Sequence, residues 1–133
     1  MSRENVATVR AIWDAVNRGD LDEAFGHAAE DFVADWSSSE APERGVYRGR
    51  ETVKRLFEKT REPWSEINYF ESEIIDVGDQ VVRVGGIRAR GHGSGAEVQA
   101  RGAQLWTFRD GIPVSVQLHQ SKQAALDAIG LSD

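Results

Sequence analysis

Between residues 3 and 18, the apolar positions Val6, Val9, Ile12, Trp13 and Val16 recur at helical spacing, which gathers them on one side of a helix. Asn17-Arg18-Gly19 ends that helix, since Gly19 can take the left-handed backbone that closes one. Asp20 opens a second, shorter helix. Glu23 follows three residues on in a capping-box-like arrangement, and Leu21, Ala24, Phe25 and Ala28 form the buried side. Residues 31–36 read as a short strand and 37–45 as a polar loop. Residues 49–60 form a third helix with Val53, Leu56 and Phe57 as its apolar stripe, closed by Pro63. The period then shortens toward two. Residues 66–76 alternate loosely around Ile67, Tyr69, Ile74 and Ile75, a turn follows at 77–80, and 81–90 is a strand. Gly85-Gly86 within it marks a bulge or a sharp bend. After a glycine-rich turn at 91–95, two long strands, 97–109 and 112–120, meet at Asp110-Gly111. That pair supplies the positive φ angles of a tight hairpin. Ser121 caps a terminal helix with Leu126 and Ile129 on its apolar edge and Gly130 at its end. Helices first, then an antiparallel meander, is an α+β order.

The bulk properties narrow the function. A chain of 133 residues is one domain, spanning 1–133, and is large enough for a single core. Its net charge of −6 and the lack of any basic run argue against a nucleic-acid partner. Without cysteine there is no disulfide, thiolate metal site or cysteine nucleophile. The charged N-terminus lacks the apolar stretch of a signal peptide, and no segment approaches a membrane span, so a cytoplasmic location is expected. Three histidines without a His-x-His or His-x-x-x-His pattern predict no metal site. The glycine-rich 91–95 turn is not a phosphate loop, because no lysine follows and no helix opens after it.

Five local runs, in order, carry a resemblance that covers nearly the whole chain. They are Val16-Asn17-Arg18-Gly19-Asp20-Leu21-Asp22, Val46-Tyr47-Arg48-Gly49-Arg50-Glu51, Val77-Gly78-Asp79-Gln80-Val81-Val82, Trp106-Thr107-Phe108-Arg109-Asp110-Gly111 and Ala125-Leu126-Asp127-Ala128-Ile129-Gly130-Leu131. The sequence resembles the nuclear-transport-factor-2-like superfamily, in its SnoaL-like or ketosteroid-isomerase-like branch. The resemblance implies a cone-shaped barrel: a strongly curved antiparallel sheet closed by the N-terminal helices, with a short C-terminal helix. It implies an apolar pocket holding one or two ionisable groups, and pairing of two copies through the outer sheet as a homodimer. The activity implied is that of a small cofactor-independent enzyme of the polyketide cyclase, isomerase or dehydratase type. The alternative on the same fold is a non-catalytic binder of a small hydrophobic molecule.

Asp35 matches the position at which the steroid isomerases that this chain resembles carry their general-base aspartate. Beside Trp36 and facing an apolar cavity, its pKa would be raised and it could move a proton next to a carbonyl. The plainer reading is that Asp35 ends its strand and caps the Ser37 loop. His119 shares a strand face with Ser115, Gln117 and Ser121, opposite Val114, Val116 and Leu118. Related cyclase-like sequences often have Tyr-x-Asp where this chain has His119-Gln120-Ser121. Gln104 falls near the position of the isomerases' oxyanion-stabilising aspartic acid, and its amide can donate a hydrogen bond to an oxyanion. Ile12 or Trp13 stands in place of their helical tyrosine, which makes true steroid isomerisation unexpected. Trp13, Trp36, Tyr47 and Trp106 are the candidate walls for a flat hydrophobic ligand, and core packing is the plainer reading of each.

Overall fold

The computed structural model describes residues 2–38, 44–93 and 95–131. Its frame is a six-stranded curved sheet, not closed into a full barrel, in the order β2-β1-β6-β5-β4-β3. The long strands β3 (Trp64–Val77), β4 (Gln80–Gly91), β5 (Glu97–Arg109) and β6 (Ile112–His119) form an antiparallel meander. β1 (Val33–Asp35) then lies parallel to β6, and β2 (Val46–Arg48) pairs antiparallel with β1.

The meander follows from its turns. Asp110 and Gly111 take φ angles of 53° and 78°, as the hairpin between β5 and β6 demands. Gly85 and Gly86 meet neighbouring strands so closely that a Cβ on either would strike the Phe70 or Ala100 carbonyl. Opposite them the β3 register shifts between Glu71 and Glu73. The bulge is thus carried by β3, and the glycines of β4 let the backbones close in where the sheet bends.

The amphipathic stripe of α1 (Ser2–Arg18) packs over β3 and β4, and Asn17 fixes its end. The Asn17 side chain accepts from the Tyr69 backbone N–H at 2.8 Å and donates to the Tyr69 carbonyl at 3.0 Å, imitating a neighbouring strand on the β3 edge. Buried Asn5 donates to the Gly78 carbonyl at the other end. Asp20 caps α2 (Leu21–Phe25) through the Glu23 N–H, and α3 (Arg50–Arg61) buries Val53, Leu56 and Phe57. The main core lies between these helices and the inner sheet face, with Trp13, Phe25, Phe32, Phe57, Tyr69 and Trp106 at its centre. A second core lies on the outer face, where α4 (Lys122–Ala128) brings Ala125 onto Val82, Ala103 and Leu105. Leu105, which an unpaired sheet would leave to water, is therefore only 3% exposed, covered by the chain's own last helix. The Ser121 side chain caps that helix by accepting from the Ala124 N–H.

Candidate functional site

The register of the sheet decides which candidate groups can meet. Trp106 pairs with Val116 and Val81, and all three are buried in the helix-covered core, so this parity is the inner face. Gln104 and Arg83, paired with each other, share that face. Ala34 is paired with Val116 and Tyr47, which brings Tyr47 to the same side. Trp36 packs edge-on against Tyr47 and Phe57 at ring separations of 6.2 and 5.8 Å. Trp13 touches Phe57, Tyr69 and Trp106 at 5.8, 4.8 and 6.3 Å. The four aromatic candidates and Gln104 thus converge on the concave interior. Rings in mutual contact occupy that interior. Trp13 and Trp106 lie deep, while Trp36 and Tyr47 stay half-buried. Trp106 Nε1 donates to Gln104 Oε1 at 3.5 Å, a long bond.

Asp35 and His119 lie elsewhere. Asp35 pairs with Gln117 one residue out of phase with buried Ala34, which turns its side chain to the outer face. Asp35 Oδ1 accepts from the Ser37 hydroxyl at 2.6 Å and from the Ser37 N–H at 3.0 Å. The plainer reading of Asp35, as a cap on its loop, is therefore the observed contact. The raised pKa expected of a carboxylate in an apolar cavity is corrected. The Ser37 hydroxyl holds the Asp35 carboxyl below its ordinary value against a smaller opposing effect of burial, helped by the Ser37 N–H and the charges of His119 and Arg48. His119, paired with Ala103, also faces outward, and its Nε2 lies 3.0 Å from Gln117 Oε1. Burial pushes the imidazole below its usual value, and Asp35 partly restores it. The structure brings Asp35 and His119 into one electrostatic neighbourhood and the aromatic walls with Gln104 into another. The sheet lies between them.

Arg83 and Glu71 complete the inner face. Arg83 is 3% exposed, and its guanidinium carbon sits 4.8 Å over the Trp13 ring. Its Nε is 3.4 Å from Glu71 Oε1, close enough for an ion pair but outside hydrogen-bond geometry. Glu71 Oε2 instead accepts two hydrogen bonds from Arg10, at 3.2 and 3.0 Å. Burial pulls the Arg83 pKa down, opposed by the carboxylates of Glu71 and Asp14. One signal for Arg83 was present in the sequence. At position 83 an arginine interrupts Val81-Val82-Arg83-Val84, and it stands two residues from Val81, on the side that Val81 buries.

Three surface clefts of about 400 to 600 Å³ open at α2–α3, beside the β5–β6 turn and along β3–β4. None is lined by Asp35, His119, Gln104 or the four candidate wall aromatics. Among the described residues there is no cluster of three or more metal-ligating side chains, and no helix is long and apolar enough to cross a membrane.

A curved, incompletely closed sheet lidded by N-terminal helices defines the nuclear-transport-factor-2-like class, and solved structures similar to this one belong to it. The SnoaL-like domain profile matches residues 9–116, and the chain belongs to that family. An NTF2-like protein of unknown function from Burkholderia pseudomallei aligns at 22% identity over 96% of this chain and 98% of its own, with a TM-score of 0.76. A putative polyketide cyclase from Xanthomonas campestris aligns at 18% identity over 89% and 90%, TM-score 0.77. TerC co-crystallized with polyporic acid aligns at 17% identity over 95% and 98%, TM-score 0.75. No curated protein matches the chain.

Proposed function

We propose that the protein binds a small, flat, hydrophobic molecule between its helices and the concave face of its sheet. One observation carries this reading. Trp13, Trp36, Tyr47 and Trp106 all lie on the helix-covered face that Gln104 shares, with Trp36 and Tyr47 partly exposed at its rim. The ligand enters by parting the Trp36–Tyr47 contact, its flat faces replace ring–ring contacts, and Gln104 hydrogen-bonds one polar atom. The family's polyketide cyclase-type relatives, and a relative crystallized with polyporic acid, support a ligand of this shape. Titration with methyl 2-naphthoate, read by tryptophan fluorescence and calorimetry, tests it. Saturable one-to-one binding is expected, weakened about tenfold by Trp36→Ala through loss of a buried aromatic wall. Absence of saturable binding to the folded protein would overturn it.

A second reading, acid–base turnover of the isomerase or cyclase kind without a cofactor, draws on the placement of Asp35 and His119 on one face, Asp35 pairing with Gln117 and His119 Nε2 lying 3.0 Å from the Gln117 side chain. There Asp35 accepts a proton from a carbon next to a carbonyl and His119 steadies the resulting oxyanion. Deuterium exchange at the α-carbons of 2-tetralone, followed by NMR, checks it. Asp35→Asn should slow enzyme-dependent exchange by ~10²-fold. Exchange no faster with wild-type protein than in buffer eliminates this reading. Homodimer formation through the outer sheet face belongs to the same proposal.

A further inference from the structure

The inner face holds buried donors that make no hydrogen bond among the described residues. Trp13, 5% exposed, has an indole N–H with no acceptor among the described residues, and Arg83 Nε and Nη1 have none either. These groups are neighbours, since the guanidinium stacks on the Trp13 ring. An arginine kept only for stability would share its N–H groups with a carboxylate in a short, two-pronged arrangement. Here the candidate carboxylate is taken. Arg10, more than half exposed, draws Glu71 Oε2 outward with two hydrogen bonds and leaves Arg83 a long contact to Oε1. Asp14 adds negative charge nearby without a hydrogen bond to Arg83. Across the strand, the Gln104 carbonyl is already engaged by the Trp106 indole. Buried donors without acceptors cost free energy.

Resting on the interior-binding reading above, the geometry points to a ligand that carries a carboxylate, held by the Arg83 guanidinium and the Trp13 indole N–H beneath the aromatic walls. The fork of the guanidinium matches the two oxygens of a carboxylate, and the surrounding rings exclude the water that would otherwise compete. The carboxylate thereby satisfies donors that a neutral hydrophobic ligand would leave orphaned, so charge at this position selects among molecules of equal shape.

The test pairs 2-naphthoate with its methyl ester, the same flat frame without the charge. In wild-type protein both bind. Arg83→Met should weaken the carboxylate about tenfold or more while the ester changes less than roughly twofold. Trp13→Phe keeps an aromatic ring in the wall and removes the indole N–H, and should weaken the carboxylate by a factor of about 3 to 10 more than it weakens the ester. That variant decides the matter if Arg83→Met does not unfold cooperatively. If the ester binds and carboxylate affinity is indifferent to both substitutions, the carboxylate assignment falls and the interior site stands. If neither molecule binds the folded wild-type protein, both fall together.

Discussion

At the scale of single residues, Asp35 and His119 tie the protein's stability to pH. The folded-state value of His119 lies below its ordinary 6.5, so the folded protein holds fewer imidazole protons than the unfolded chain just below that pH. Its contribution is complete above the ordinary value and declines as pH falls beneath it. Asp35, also lowered, contributes stability that is present above the unfolded carboxylate's pKa and is lost as pH drops through the folded one. Thermal unfolding of His119→Gln should therefore fall less steeply than wild type between about pH 7 and pH 5. Parallel curves for the two proteins would show that His119 carries none of the acid sensitivity. The sequence placed these two residues near one another in function but could not orient them. On a strand of three residues a one-position change of phase exchanges the faces, and Val33, Ala34 and Asp35 contain too short an alternation to fix it.

At the scale of elements, legibility followed local chemistry. The Asp110-Gly111 hairpin, the Gly19 helix end and the Ser121 cap were each written in two or three adjacent residues, and each is found as expected. β2 was not, because Val46-Tyr47-Arg48 is short, mostly exposed and abuts a helix, which leaves too little alternation to read. The covering of Leu105 was also hidden, since it depends on where α4 docks and not on the pattern within it. The Ser121 cap therefore bears on more than its own helix. Ser121→Ala should cost ~1 kcal/mol in urea unfolding, as loss of an N-cap does, and should loosen the layer over Val82, Ala103 and Leu105. Faster amide hydrogen exchange in the middle of β4 and β5 would register the second effect. Unchanged exchange would show that α4 holds its place without the cap.

At the scale of the whole molecule, the sheet separates two environments. Its inner face is aromatic, with buried donors at Arg83 and Trp13. The outer face is polar beyond the reach of α4, where Arg88 and Arg101 lie over Phe70 at 4.4 and 5.4 Å from its ring centre. The family fold was legible because turn signals spread along the entire chain agreed with one another. The contents of the interior were not, because Arg83 and Glu71 become neighbours of Trp13 only when β3, β4 and α1 assemble. Pairing of two copies should engage the outer patch. Sedimentation at micromolar concentration is expected to give a dimer, and the paired substitution Arg88→Glu with Arg101→Glu to shift it toward monomer. A wild-type monomer under those conditions contradicts the pairing.

The parallel ladder of β1 beside β6 joins residues 33–35 to residues 115–117, far apart along the chain. A ribosome making this protein releases the first three helices and both short strands well before the strand that anchors them exists. Until then Ala34 and Tyr47 have no sheet to rest upon, and the Trp36 ring waits with them. Completion of the final hairpin is thus the event that lets the early half settle, and a nascent polypeptide halted ahead of Ile112 should remain a ready client for chaperones.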